Sequence, residues 1–169
     1  MNAGLLVLRL VILVIMGMHG TQKLFGWWDG GGPAEAERFF GSQGFRPPRL
    51  MALVAGITQT AGALLIGAGF ASVLGVAILA GVLTTVIALH LPNGLDGRKQ
   101  GFEYELMILA GVVAIGLAGP GQWSVDQWLA VPAPGWSGTT AVVVGIVAGL
   151  AVSATRARPF NFRRSRQPR

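Results

Sequence analysis

Five long apolar stretches, joined by connections whose positive charge falls on alternate sides, constrain this chain more than any other feature. The stretches are residues 4–24, 50–69, 71–91, 104–119 and 139–155. Lys23 at the edge of the first, then Arg38, Arg46 and Arg49, precede the second; Arg98 and Lys99 separate the third from the fourth. Arg156, Arg158, Arg163, Arg164, Arg166 and Arg169 follow the fifth. The chain start, the 69–71 junction and the 120–138 connection carry no Lys or Arg at all. Of the 13 basic residues only Arg9 lies well inside a stretch, Lys23 sitting at the inner edge of the first, so the other twelve share one side. The positive-inside rule then predicts five crossings, with the amino end outside and the carboxyl end in the cytoplasm.

Composition leads to the same class. The chain is 52% hydrophobic and 12% charged, and its mean hydropathy is +0.59, far from soluble usage. No connection is long enough to bury a core of its own. The basic excess does not predict a nucleic-acid partner: six of the 13 basic residues sit in the last 14 positions beside a span, where anionic lipid explains them. Cysteine is absent, which excludes disulfides, thiolate metal sites and thiol redox chemistry by this chain. At the amino end Arg9 interrupts the apolar run, the reverse of a secretion signal, so the segment reads as a retained first span.

The spans differ in quality. The second and third are nearly free of charge and a tight turn at 69–71 makes them an antiparallel hairpin; the fourth has a clean apolar run only from Leu106 to Ala118. The fifth carries Gly145, Gly149 and Ser153 at four-residue spacing, a small-residue stripe that admits a close helix, either within the chain or, in a homo-oligomer, from a second copy. In the 25–49 connection, Trp27 and Trp28 suit the membrane boundary, and Pro33 opens a short helix through Glu35, Glu37, Arg38, Phe39 and Phe40, ended by Gly41 or Gly44. That connection reads as an interfacial or re-entrant segment or as a plain loop.

Polar residues inside a membrane cost about 2.5–3.5 kcal/mol for an arginine at mid-helix, so each needs a reason. At 100° per residue, His19 falls about 80° and Lys23 about 40° from Arg9 on one side, placing all three on a stripe that should face the bundle interior. Gln59 lies in the second span. The topology brings His19, Lys23, His90, Glu103 and Glu105 to a similar depth near the cytoplasmic face, with Asn93 in the turn beside them. Three readings follow: a structural clamp pairing Lys23 or His90 with Glu103, a site for a polar headgroup, quinone ring or proton, and a metal or haem held by His19 and His90. Two histidines alone are a weak ligand set, so no metal site is predicted and haem is disfavoured.

The motifs are Arg9 in the first span, His19-Gly20-x-x-Lys23-Leu24-Phe25-Gly26, Leu91-Pro92-Asn93-Gly94, Gly101-Phe102-Glu103-Tyr104 and Gly119-Pro120-Gly121-x-x-Ser124-x-Asp126. In this order they resemble the DoxX family of small bacterial membrane proteins over about residues 4–126. The resemblance implies an all-α, four-helix transmembrane bundle over residues 1–126 in the bacterial inner membrane. Residues 127–155 then add an outer connection and a fifth, C-terminal transmembrane helix, and residues 156–169 a basic cytoplasmic tail. Some relatives are subunits of a thiosulfate:quinone oxidoreductase; others join superoxide dismutase and a sulfurtransferase in an oxidative-stress complex. The resemblance therefore implies a non-catalytic membrane subunit that anchors soluble redox partners on the cytoplasmic side. A quinone-binding oxidoreductase subunit and a small solute or proton transporter are the alternatives.

Overall fold

In the computed structural model, which describes residues 2–156, four of the apolar stretches become helices long and apolar enough to cross a membrane. They are α1 (Asn2–Phe25), α3 (Pro48–Ala68), α4 (Ser72–His90, continued by a 3-10 turn to Asn93) and α7 (Ser137–Ala154). The fourth stretch is α5 (Glu103–Ala118), whose 16 residues span about 24 Å. Two short helices complete the set, α2 (Gly32–Ser42) and α6 (Val125–Trp128). No strand occurs among the described residues, so the all-α membrane bundle with a fifth long helix at its C-terminal side is the architecture. The basic tail expected at 156–169 lies, apart from Arg156, outside the described residues.

α4 is the central helix, packed against α3, α5 and α7, while α1 lies along α3. The core joins Ile12 and Met16 of α1, Ile66 of α3, Leu79 and Leu83 of α4, Val112 of α5 and Val142 of α7. Lipid-side positions such as Val14, Leu64, Met107 and Val147 remain exposed, as a bilayer solvent permits. The α7 stripe is used inside the chain. A Cβ at Gly145 would run into the Ala77 carbonyl and one at Gly149 into the Gly81 carbonyl, so α7 backbone rests directly on α4. Close backbone approach of this kind maximises packing where no hydrophobic effect drives helices together.

The 25–49 connection is not a plain loop. Pro33 opens α2, as its fixed φ suits a first turn, and the helix runs through Gly41 to Ser42, with Gly44 (φ +87°) making the turn. α2 then folds back beneath the bundle, where Ala36 and Phe40 pack with Phe45, Ala52 of α3 and Leu89 of α4. The Phe40 and Phe45 ring centroids stand 5.4 Å apart, and Phe45 is fully buried.

The opposite end is closed by hydrogen bonds. The α3–α4 hairpin turns at Gly69 (φ +63°), beside the Arg9 guanidinium and Ser124. Asp126 reaches across and accepts from Ala71 N (2.7 Å) and Ser72 N (2.8 Å), neutralising the exposed N–H groups that open α4.

Candidate functional site

At the end of the bundle covered by α2, a cavity of about 420 Å3 opens among α1, α2, α3, α4, α5 and α7. Its walls are mainly apolar, including Met16, Phe40, Phe45, Leu89 and Ile108, with polar groups gathered from four helices: His19, Lys23, Gln59, His90, Tyr104 and Glu105. Such a volume and lining suit a small amphipathic ligand.

Helical spacing sets these polar groups. His19 and Lys23 are one turn apart on α1, and Lys23 Nζ donates to the His19 carbonyl at 3.1 Å. His19 Nδ1 lies 3.2 Å from Gln22 Oε1 and Nε2 lies 3.4 Å from the Tyr104 hydroxyl, with the two rings edge to face at 6.0 Å. His90, the last residue of α4, places Nδ1 3.1 Å from Glu105 Oε1. Two polar atoms on this wall stay buried without a hydrogen-bond partner, Gln59 Oε1 and Glu105 Oε2. Buried polar atoms are almost always paired, so an orphan beside a cavity calls for a partner there, a water or a ligand atom.

The sequence expectations divide. His19, Lys23, Gln59, His90 and Glu105 come together around the cavity. Glu103 does not, and the expected pairing of Lys23 or His90 with Glu103 is not formed. Glu103 and Glu105 lie about 200° apart around α5, so only one can face inward. Glu105 takes that place and pairs with His90, while Glu103 Oε2 accepts from Gly97 N at 3.1 Å in the preceding loop. Asn93 is also a loop residue, exposed and donating to the Gln100 carbonyl at 3.0 Å. In that loop the Arg98 side chain, and then its backbone N–H, hold the Asp96 carboxyl below its usual range.

Arg9 faces the interior as its stripe requires, but about 15 Å further along α1 than His19, so it does not join the cluster. Nε donates to the Ile66 carbonyl (2.9 Å) and Nη2 to Gly67 (2.8 Å), while Nη1 donates to Pro120 (2.9 Å) and Trp123 (2.8 Å). The guanidinium thus ties α1 to the end of α3 and to the 120–126 segment. A second cavity of about 610 Å3 lies at this end beside α4 and α7; both Asp126 oxygens in its wall are engaged, whereas Ser72 Oγ there is buried without a hydrogen-bond partner.

Tyr104, Phe40 and Phe45 line the site without having been singled out for it. Tyr104 is the only tyrosine in the chain and stands in the Gly101-Phe102-Glu103-Tyr104 motif, which is the one signal available beforehand. The two phenylalanines reach the site only because α2 folds back, which spacing along the chain does not reveal.

Among known proteins, the DoxX family model matches residues 4–91, from the first turn of α1 through the end of α4. The site residues His19, Lys23, Gln59 and His90 fall within that match, whereas Tyr104 and Glu105 lie beyond it. No curated protein and no solved structure matches the chain. Because the matched segment covers more than half of the sequence, and the helices are those of a membrane bundle, the chain is an integral membrane protein belonging to the DoxX family.

Proposed function

We propose that this chain is a membrane subunit whose cavity binds a quinone-class ligand near the cytoplasmic face of the bacterial inner membrane, with its amino end outside. The observation that supports this reading most is the convergence of His19, Lys23, Gln59, His90, Tyr104 and Glu105 on one largely apolar cavity that retains two unpartnered buried oxygens. A quinone-class ligand matches such a lining: its apolar tail and ring replace lipid contacts, its oxygens meet the donors Lys23, His19 and Tyr104, and in the reduced form its hydroxyls supply donors to Gln59 Oε1 and Glu105 Oε2. The segregated charge supports the orientation. A transport path along the α1 stripe is disfavoured, because Arg9 spends its donors on four carbonyls that close the other end.

The direct test is binding of a short-chain 1,4-naphthoquinone to the purified protein in nanodiscs. Saturable binding at one site is expected, with Tyr104→Phe and His19→Ala each weakening it about tenfold. Binding that only partitions with lipid, or saturable binding indifferent to both substitutions, would overturn the reading.

Anchoring of a soluble redox partner is a second role, favoured by the turn after α1. Trp28 and Asp29 both hold left-handed backbone, φ 57° and 56°, which costs of order 1–3 kcal/mol per residue and leaves Trp27 and Trp28 exposed. Replacing both tryptophans with Ser should abolish oxidative-stress protection without lowering protein abundance, whereas retained protection removes the role.

A further inference from the structure

Resting on the quinone reading, we infer that the ligand is held through an acidic oxygen, as an anion beside Lys23, so the site prefers ionised hydroxyquinones to neutral quinones of the same shape. The shared chemistry is one anionic oxygen on an apolar body, which a fatty acid also supplies.

The reasoning begins with unspent donors. An ammonium carries three N–H donors, and among the described residues Lys23 uses one, to the His19 carbonyl. The two ion pairs among the described residues are His90–Glu105 and Arg98–Asp96, and neither involves Lys23. A cation at membrane depth without a carboxylate partner is costly, and such groups pair with one another, with backbone or with a ligand.

The surroundings leave room for that ligand on the cavity side. Lys23 also borders a second, smaller cavity of about 360 Å3 with Asp29, Glu35 and the glycines at 30–32, and Phe39 stands in the wall of both. Asp29 and Glu35 share that smaller cavity with Lys23, yet neither comes within ion-pair distance. Within the main cavity the other titratable groups are His19, His90, Tyr104 and Glu105. Glu105 would repel an anion, but His90 stands 3.1 Å from one of its oxygens and, when protonated, cancels its charge. In that paired state the remaining excess is positive and localised at Lys23. A neutral quinone leaves that charge unanswered, whereas an ionised hydroxyl forms a charge-assisted hydrogen bond with it, about twice as strong as a neutral one.

The experiment compares two probes with identical alkyl chains, a 2-hydroxy-1,4-naphthoquinone, ionised at neutral pH, and its 2-methoxy ether, on full-length protein in nanodiscs of neutral lipid. The hydroxy probe is expected to bind at least about tenfold tighter. Lys23→Gln should bring the two within about threefold, Lys23→Arg should keep the preference, and Glu105→Gln should widen it. The exposed loop variant Arg98→Gln serves as a charge control and should leave the preference intact. Competition by dodecanoate would identify a fatty acid as an equal source of the anionic oxygen; its failure to compete would assign the site to the ring. Equal affinity of the two probes in the parent protein overturns this inference while leaving the quinone reading standing. Saturable binding of neither probe defeats the quinone reading itself. If Lys23→Gln does not accumulate, the parent comparison and Lys23→Arg still decide.

Discussion

Replacing Arg9 with Met should destabilise the bundle by about 2–4 kcal/mol, a figure that follows from its hydrogen bonds. The guanidinium donates to four carbonyls. The Ile66 carbonyl keeps another partner, the Gly69 N–H at 3.0 Å, so its loss is small. The Gly67 carbonyl has the Arg9 bond in a buried setting, and leaving such an acceptor unpaired costs about 1–3 kcal/mol. The bonds to Pro120 and Trp123 are only partly buried, so water recovers some of their energy, and about 1 kcal/mol for the two together is reasonable. For a chain of this size that total corresponds to a fall of roughly 5–15 °C in unfolding temperature in detergent. Arg9→Lys should fall between the two, since an ammonium keeps the charge but not the planar fork that reaches both segments. Hydrogen exchange should rise chiefly at residues 120–126 and 66–71. An Arg9→Met protein within 1 kcal/mol of the parent, or an exchange increase centred on the α2 end, would refute the account.

Further outcomes follow from other contacts. His90→Ala and Glu105→Gln should show a coupling of about 0.5–2 kcal/mol in a double-mutant thermal cycle, whereas Lys23→Met with Glu103→Gln should add within about 0.5 kcal/mol; the reverse pattern would restore the Glu103 clamp. Gly149→Leu should cost about 1–3 kcal/mol by forcing α7 off the Gly81 backbone, with the exposed Val147→Leu neutral as a comparison; equal stability of the two variants would mean that α7 is not packed as described. A reporter fused near Gln122 should read outside and one after Arg169 cytoplasm; the same side for both would remove the fifth crossing.

The membrane bundle was legible because it rests on signals that do not depend on packing. Charge alternation and uninterrupted apolar length gave the spans, and the 100° helical angle placed Arg9, His19 and Lys23 on one inward stripe. What escaped depends on which of two neighbours wins a contact. Glu103 and Glu105 look equivalent in sequence, and only the Gly97 N–H, presented by a folded loop, draws Glu103 outward. Arg9 lacked a visible partner because its partners are main-chain carbonyls, which every residue carries and no sequence pattern distinguishes. Likewise, the stripe at Gly145 and Gly149 announces a close helix but not which one; α4 takes it because Ala77 and Gly81 present backbone at the matching spacing.

The two ends of the bundle differ in how fully their larger polar side chains are satisfied, although the small Ser72 hydroxyl at the Arg9 end is also buried without a partner. At the Arg9 end, the guanidinium and the Asp126 carboxylate each spend their capacity on backbone. At the α2 end, Gln59 Oε1 and Glu105 Oε2 remain buried and unpaired, a cost the fold would shed if packing were the only demand. Gln59→Leu tests this difference. Leucine removes the orphaned oxygen while keeping an apolar side chain of similar reach, so stability should rise by about 1–2 kcal/mol, or roughly 2–8 °C. Affinity for the reduced naphthohydroquinone should fall, because its hydroxyl donor loses the Gln59 Oε1 acceptor. The sign is therefore opposite to that of Arg9→Met, although both substitutions replace a buried polar residue with an apolar one. Gain of stability with loss of binding is the behaviour of a residue kept for its ligand. A Gln59→Leu protein that melts lower than the parent would show that the amide serves the fold, and the cavity would then lose its strongest mark as a site.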